Sequence, residues 1–400
     1  MLQPLIAENP PIQSPAAERG RLAGLFALEI LGSIGGTLMM LGIFFYMQTA
    51  FQWGARRNLE LSAAQGAIYV VGALSASAVA DRLGKRPMLR LLNAIMGALA
   101  VVAFCYPTEK IVVTVLLIYT ICVACQWPII ESLVSSGTEP EELSRRISVY
   151  NLFWSATGAL AMAACGVIIA HFSRGIFLAA LAGHVTSSIV LLFPANDPIA
   201  PHGHADPDPQ LLPLRTMAMH LSRIALPATY AVIYALGALM PTLPVLAPFS
   251  PTMKTLIASV WMAARSAAFL LLGATIWWQT RPRALLIAAI VLLISFLGIT
   301  VFPSIIGMIL WQIALGLAIG FIYAASLYFG MVLSAGNAEQ GGYHEALIGL
   351  GSILGPGSGA LAEAIRPGSQ MADIAAVAAV LWISAMLAVL VSARSGRDSS

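Results

Sequence analysis

Residues 77–87 read Ser77-Ala-Val-Ala-Asp81-Arg82-Leu-Gly84-Lys85-Arg86-Pro87, and this short charged segment separates two long apolar blocks. The block before it covers residues 62–81, and the block after it covers residues 88–106. Each is close to the roughly 20 residues that a helix needs to cross a bilayer. The segment is therefore predicted to be a tight turn at a membrane surface between two transmembrane helices.

The same alternation of apolar blocks and short polar turns runs along all 400 residues. Hydrophobic residues make up 59% of the chain and charged residues only 10%, whereas soluble domains contain roughly 25% charged residues. Backbone groups inside lipid must be paired within their own segment, so long apolar runs predict helices. We predict an all-α integral membrane protein with twelve transmembrane helices, near residues 22–49, 62–81, 88–106, 111–134, 147–171, 175–194, 222–247, 252–278, 283–302, 304–332, 342–365 and 371–392.

The chain divides into two similar halves. The longest polar stretch, residues 195–221, is rich in proline and aspartate and is predicted to be a cytoplasmic linker. It joins six-helix bundles at residues 22–194 and 222–392, with cytoplasmic tails at residues 1–21 and 393–400. An offset of 193 places Tyr150 on Tyr343 and Gly158 on Gly351, and an offset of 196 places Lys85 on Arg281. Such paired halves are typical of transporters with a binding site at the bilayer midplane.

The distribution of basic residues predicts the orientation of the chain. Of the 21 Lys and Arg residues, fourteen fall on the side of the two termini, six fall on the other side, and Arg265 lies within an apolar block. Basic residues are enriched on the cytoplasmic side of a membrane. We therefore expect a multi-pass protein of the plasma membrane (the inner membrane of a bacterium) with both termini in the cytoplasm. The proline-rich N-terminal residues indicate no cleaved signal peptide.

The segment at residues 77–87 resembles the signature loop of the major facilitator superfamily, G-x-L-A-D-R-x-G-R-R, which lies between the second and third helices. Ser77 stands in place of the first glycine. The corresponding segment of the second half begins at Gly273 and has Trp277 in place of the acidic residue. The helix count, linker and repeat extend this resemblance to the whole chain. It implies two pseudo-symmetric six-helix bundles and secondary active transport by alternating access.

By the same resemblance, Asp81, Arg82, Lys85 and Glu131 are expected to form a conformational latch between the halves. Asp81 is predicted to lie against the positive N-terminal end of the eleventh helix, near Gly341 and Gly342. Lys85 is predicted to pair with Glu131. The alternative is a loop whose basic residues serve only to set the topology.

A second pattern, Gly351-Ser-Ile-Leu-Gly355-Pro356-Gly-Ser-Gly359, is similar to a motif of antiporters in this superfamily. The family motif belongs to the fifth helix, whereas this one falls in the eleventh, its pseudo-symmetric partner. Glycines permit close helix approach, and a proline bends a helix by freeing a carbonyl group. We therefore interpret Gly351, Gly355, Pro356 and Gly359 as a hinge.

Arg265 is the main candidate for substrate contact. It lies deep within the eighth apolar block, at a depth close to the midplane for a rise of about 1.5 Å per residue. Ionisable residues inside a membrane are costly and mark functional sites. A guanidinium group suits a carboxylate or phosphate ligand. The alternative is a structural Arg that holds helices together by an internal ion pair.

Glu29, His344 and Glu345 are the candidates for proton coupling. A carboxyl group in an apolar cavity favours its neutral form, so Glu29 is a possible proton carrier. It could equally receive a cationic substrate or neutralise Arg265. His344 next to Glu345 is a second possible proton site, although Glu345 also suits the first turn of a helix.

The remaining polar residues and cysteines are predicted to line the cavity or to pack in the core. Asn151, Trp154 and Tyr323 are expected to line the substrate cavity together with Glu29 and Arg265. His184 is interpreted as a hydrogen-bonded core histidine, and the Cys122-x-x-Cys125 pair as packing. No metal site is predicted, since His202, His204 and Asp206 fall in the linker.

A polytopic membrane protein of this kind is a transporter, a membrane enzyme, or a receptor or scaffold. A membrane enzyme needs clustered catalytic groups at one depth, and the sequence indicates none. A non-transporting receptor or scaffold is the less favoured alternative. We predict a transporter of a small organic solute, favouring an organic anion and proton coupling; the alternative is a broad-specificity drug or cation:proton antiporter. Expected partners are the lipid bilayer, the substrate and protons, with no nucleic acid, no cofactor and a monomeric state; no ATP-binding glycine loop is present.

Overall fold

The computed structural model of the protein describes residues 15–136, 140–193, 210–302, 304–333 and 338–397. Every regular element in these ranges is helical. The first fourteen residues and most of the predicted linker, including His202, His204 and Asp206, lie outside the described residues.

Twelve helical segments follow one another along the chain, and eleven of them are long and apolar enough to cross a membrane. The sixth has only 16 residues but is also apolar. The predicted all-α fold of two pseudo-symmetric six-helix bundles is confirmed. The helices are α1 Ala16–Phe51, α2 Ala55–Leu83, α3 Lys85–Cys105, α4 Glu109–Ser135, α5 Pro140–His171, α6 Gly175–Val190, α7 Leu212–Leu239, α8 Pro251–Gly273, α9 Ala284–Val301, α10 Ile305–Leu333, α11 Ala338–Ile365 and α12 Gln370–Arg397.

Several helices extend beyond the apolar blocks that predicted them. α2 begins at Ala55 rather than at residue 62. Its first turns carry the buried polar residues Asn58 and Ser62, whose side chains donate hydrogen bonds to backbone carbonyls of α7. Polar residues are therefore accommodated within the spans because the second half, rather than lipid, covers them.

Two helices are irregular next to the centre of the molecule. α1 contains a π-helical segment, Leu38–Gly42, and α8 is interrupted at Ser259, between Pro251–Ala258 and Val260–Gly273. π-helical segments are frequent at functional sites. Both irregularities flank the region where the two halves meet.

The two halves touch on both sides of the molecule. We call the side on which α1 begins and α6 ends the linker face, and the other side the opposite face. On the linker face, Gln279 Nε2 donates to Ser144 Oγ at 3.2 Å. On the opposite face, Asn58 Nδ2 donates to the carbonyl of Ala238 at 3.2 Å. The space between the halves is thus bounded by contacts above and below.

The glycines of α11 bring this helix into backbone contact with α7. A Cβ added at Gly351 would lie 2.1 Å from the carbonyl oxygen of Pro227, and one added at Gly355 would lie 2.2 Å from that of Ala231. α11 continues without interruption through Pro356. The observed role of these glycines is close packing between helices; the hinge stays a prediction.

Replacing Gly355 by alanine is expected to lower stability by about 1–3 kcal/mol, the usual cost of overpacking, because the Ala231 carbonyl is rigid backbone. The measurement is the apparent melting temperature of the purified protein. Gly24→Ala in α1 is the matched control, since nothing lies within 4 Å of a Cβ there. Equal melting temperatures for the two variants would contradict the packing role.

Candidate functional site

A central cavity of about 110 Å³ lies between the two halves. Four helices of each half contribute to its wall, namely α1, α2, α4 and α5 from the first and α7, α8, α10 and α11 from the second. The predicted residues Glu29, Trp154, Arg265, Tyr323 and Glu345 all line it. Its other aromatic residues are Tyr69, Trp127, Tyr150, Tyr230 and Tyr234.

The guanidinium group of Arg265 is held between two indole rings. Its central carbon lies 4.2 Å from the ring centroid of Trp154 and 4.9 Å from that of Trp261. Its Nε donates to Ser155 Oγ at 2.9 Å. No carboxylate among the described residues forms an ion pair with it. The cation is therefore fixed in place by aromatic and hydroxyl contacts, and its charge is not neutralised by an acidic side chain.

Trp154 is itself positioned by its neighbours. Its indole N–H donates to the side-chain oxygen of Asn151 at 3.0 Å, and its ring contacts those of Phe269 and Tyr323, with centroid distances of 5.7 and 5.2 Å. Asn151 is fully buried and does not line the cavity. In this conformation Asn151 orients Trp154, and its predicted contact with a solute stays a prediction.

Sequence reasoning predicted Tyr323 but missed Tyr69, Tyr230 and Tyr234 in the wall. Tyr230 and Tyr234 lie four residues apart on α7, so they share one face of that helix. Glu29 and Ser33 have the same spacing on α1, and all four line the cavity. The available signal was a pair of polar residues, four positions apart, in the first helix of each half. In sequence, however, Tyr230 and Tyr234 resemble tyrosines that anchor helices at a membrane surface.

Three buried groups converge beside the cavity. Ligand atoms of Glu131 from α4 and of His344 and Glu345 from α11 all lie within 4.8 Å of one another. His344 Nδ1 is hydrogen-bonded to Ser326 Oγ at 3.0 Å. The structure thus brings Glu131, which was predicted for the latch, together with the predicted proton-coupling pair. We call Glu131, His344 and Glu345 the interface cluster.

Hydrogen bonds tie the two carboxyl groups of the interface cluster to the opposite halves. Tyr323 of the second half donates to Glu131 Oε1 of the first half at 3.0 Å. Conversely, Tyr69 of the first half donates a short hydrogen bond to Glu345 Oε2 of the second. Each carboxyl therefore bridges the halves through a tyrosine of the other half.

Glu29 is the third buried carboxyl at the site. Its Oε1 accepts a hydrogen bond from Ser33 Oγ at 3.3 Å. Within Glu29 and the interface cluster, three buried atoms lack a hydrogen-bond partner among the described residues: Oε2 of Glu29, Oε2 of Glu131 and Nε2 of His344. No ion pair with a described basic residue compensates these carboxyls, and several unpaired charges cannot be buried together cheaply. The arrangement suits the uptake of a cation or proton. Histidine and carboxylates are also donors that divalent metals accept, so the expected absence of a metal stays a prediction.

The predicted contacts of the latch are wrong for this conformation. Lys85 Nζ donates to Ser132 Oγ at 2.7 Å, next to Glu131 rather than to it. The Glu131 side chain faces Tyr323 at the centre of the molecule instead. Adjacent residues of a helix point in directions about 100° apart. Ser132 therefore points toward Lys85 on the linker face, and Glu131 points toward the cavity.

Asp81 also lies away from its expected partner. A Cβ added at Gly342 of α11 would meet the carbonyl oxygen of Ala73, which lies about two turns before Asp81 on α2. Asp81 and Arg82 are exposed and form no hydrogen bond or ion pair within the described ranges. The predicted contact with Gly341 and Gly342 is therefore not formed, and a latch function of these residues stays a prediction.

An ion-pair group on the linker face was not predicted. Arg146 of α5 pairs with Glu18 of α1 at 2.9 Å and with Glu142 at 3.1 Å. Its side chain is buried, whereas the two carboxylates are partly exposed. The four-residue spacing of Glu142 and Arg146 was visible in the sequence, but the contact with α1 required the tertiary structure.

The interpretation of His184 is confirmed. The buried imidazole is hydrogen-bonded to the Tyr119 hydroxyl at 2.8 Å and to Asn93 Oδ1 at 3.0 Å. Cys122 and Cys125 are buried free thiols within α4, as packing residues would be. These residues lie outside the cavity wall.

Comparison with known proteins gives a consistent assignment. The family model described as Major Facilitator Superfamily matches residues 25–356. No curated protein matches the sequence. A bacterial homologue of the human lysosomal transporter Spinster, solved inward-facing and occupied, is similar with a TM-score of 0.68 and 13% identity, covering 95% of this chain and 98% of that one. A single-substitution variant of the nucleoside transporter NupG is similar with a TM-score of 0.65 and 15% identity, covering 94% and 99%. At these identities the similarity extends to the fold alone.

Proposed function

The chain belongs to the major facilitator superfamily, and from that premise we propose that it moves a small organic anion across the membrane by alternating access, coupled to protons. A transporter of this kind binds its solute at the midplane, between two halves that rock around the site. The cavity lies between the two halves, with walls from eight helices, which supports the proposal.

The state of Arg265 is the observation that carries the proposal. A buried guanidinium usually has an acidic partner, because an isolated charge in a membrane is costly. Arg265 is 4% exposed, has two indole rings as neighbours and forms no ion pair with the described carboxylates. An anionic solute would supply the missing charge. The surrounding tyrosine hydroxyls and aromatic faces favour a solute with a planar or aromatic part.

The carboxyl groups support the proposed proton coupling. Glu29 and Glu345 line the same cavity as Arg265, and Glu345 is in contact with Glu131 and His344. Protonation of these groups removes mutual repulsion, so the closed arrangement is favoured when they carry protons. Proton binding and closure would then be linked through the tyrosine–carboxyl bonds that bridge the halves.

An organic cation is the second candidate substrate. The unpaired Oε2 of Glu29 is buried at a cavity rich in aromatic faces, and such faces attract cations. With such a substrate the protein would be a broad-specificity drug or cation:proton antiporter. A solute of this charge would be repelled by Arg265, and for that reason we favour the anion.

We further propose that the protein works as a monomer in a bacterial inner membrane with both termini in the cytoplasm. The excess of basic residues on the linker face supports this orientation of the termini. A fluorescent reporter that folds only in the cytoplasm, fused to the C-terminus, tests the orientation; a dark but fully expressed fusion would reverse it.

The test of the substrate class is a thermal-stability screen with ligands that share one ring and differ in charge: benzoate, benzylamine and benzyl alcohol. A second panel contains aliphatic carboxylates, amines and alcohols. We expect the anions to raise the apparent melting temperature and the amines and alcohols to leave it unchanged. Uptake of the best anion into proteoliposomes would then establish transport. Stabilisation by the amines alone would favour the cation antiporter and contradict the proposal.

A further inference from the structure

A second, larger opening lies at the outer surface of the second half. It is a groove of about 950 Å³ between α7, α9 and α10. It begins at the connection between α8 and α9 on the linker face and follows α9 and α10 toward the middle of the membrane. Ile287, Trp277 and Leu317 are exposed along its edges, so it opens toward lipid rather than toward the central cavity.

The mouth of the groove carries two arginines that have no acidic partner among the described residues. Arg281 and Arg283 are exposed, and none of the groove-lining residues is acidic. Neither guanidinium forms an ion pair or hydrogen bond within the described part of the chain; Arg281 lies 6.0 Å from the ring centroid of Trp277. Two positive charges are thus presented close together in the chain at the start of α9 on the linker face, the end of a transmembrane helix where headgroups and tryptophan side chains are expected.

The backbone N–H groups at the mouth of the groove already have hydrogen-bond partners. The first N–H groups of α9, those of Ala284, Leu285 and Leu286, donate to the carbonyls three residues earlier at 3.0–3.1 Å. An anion at the mouth would therefore be bound by the guanidinium groups and not by the helix end.

The rest of the groove is apolar and is kept open by small side chains. Ala284 and Ala288 of α9 face Ala314 and Ala318 of α10 along its floor. The spacing of four residues places each pair on one face of its helix. Larger residues at these positions would close the groove, so the alanines leave room for an acyl chain.

We propose that this groove is a binding site for an anionic phospholipid, with the phosphate at Arg281 and Arg283 and an acyl chain along the alanine floor. Charge complementarity selects this occupant. A zwitterionic lipid would gain less from two unpaired cations, and a soluble phosphate would leave the apolar floor uncovered. Clusters of basic residues at the ends of transmembrane helices bind anionic headgroups at about 1 kcal/mol per residue.

The test is lipid titration of the delipidated protein in detergent, followed by native mass spectrometry. The probes are phosphatidylglycerol, phosphatidylcholine with the same acyl chains, and glycerol 3-phosphate. We expect phosphatidylglycerol to bind most tightly. The double variant Arg281→Gln/Arg283→Gln should weaken it by about 30-fold, about five-fold for each residue, and should leave phosphatidylcholine unaffected.

Two further variants separate the site from general surface charge. Arg19→Gln/Arg145→Gln removes the same charge from exposed residues of the same face in the first half and should retain tight binding. Ala314→Phe fills the groove from a partly exposed position and should weaken the lipid while both arginines remain.

Four results would overturn the proposal. They are equal binding of the two lipids, binding of glycerol 3-phosphate that is as tight as that of the lipid and is lost in Arg281→Gln/Arg283→Gln, an equal loss in the Arg19/Arg145 control, and no effect of Ala314→Phe. The first would mean that the arginines do not select the headgroup, and the third would mean that they act only as diffuse surface charge. The second would mean a site for a soluble anion, and the fourth would mean that the groove holds no chain.

Discussion

Replacing Arg265 by glutamine is expected to abolish the stabilisation of the protein by organic anions and to weaken their binding by about 100-fold, or roughly 3 kcal/mol. Glutamine is polar but shorter than arginine and carries no charge, so a bound carboxylate would lose its counter-charge in an apolar setting. The measurement is a binding titration of the stabilising anion by calorimetry. Arg265→Lys keeps the charge but loses the flat, forked group held between Trp154 and Trp261, and an intermediate loss of about ten-fold is expected.

The control for this experiment is Arg57→Gln. Arg57 is exposed on the opposite face, where it pairs with Glu109 at 3.1 Å, so its replacement removes the same charge without a change in the cavity. Anion binding should be unaltered in this variant. If Arg265→Gln binds the anion as tightly as Arg57→Gln does, Arg265 is a structural residue and the favoured substrate class is lost.

Replacing Glu345 by glutamine is expected to uncouple transport from protons. The amide oxygen of glutamine can still accept the hydrogen bond from Tyr69, so the closed conformation is preserved. The side chain no longer gains or loses a proton. In proteoliposomes the variant should exchange labelled for unlabelled solute at a rate near that of the wild type. A pH gradient of either orientation should no longer drive accumulation, with a loss of at least about ten-fold.

Asp373→Asn provides the matched control for a buried carboxyl outside the site. Asp373 of α12 is buried, and both of its oxygens lack a hydrogen-bond partner in the described residues, yet it does not line the cavity. Its replacement should leave gradient-driven accumulation intact. Undiminished accumulation in Glu345→Gln would exclude Glu345 as the coupling group; the same assay on Glu29→Gln and Glu131→Gln then identifies which carboxyl acts.

The candidate site was only partly predictable, and the residues show why. Arg265 and Glu29 stood out because a charge inside an apolar block is rare and costly. Tyr230, Tyr234 and Tyr69 did not stand out, because tyrosine is common at helix ends and in packed interfaces. Glu131 was assigned to the loop beside Lys85 by its position near a helix end. The structure places its side chain at the centre of the molecule.

The membrane environment, the number of helices, their division into two related halves and the family were all predictable from the amino-acid sequence. These properties depend on composition, on the length of each apolar block and on a repeat along the chain, all of which are local or periodic features. The location of the Arg265 charge inside an apolar block was also predictable, since recognising it requires no knowledge of any neighbouring helix.

Which buried groups meet became evident from the packing of the helices alone. Glu131 of the first half contacts His344 and Glu345 of the second, and the arginines at the start of α9 open onto a groove formed with α7 and α10. Helices that are apolar around most of their circumference do not reveal in sequence which face meets a partner and which meets lipid. Their rotation and depth are set by packing between helices, and these two quantities determine which polar side chains face each other.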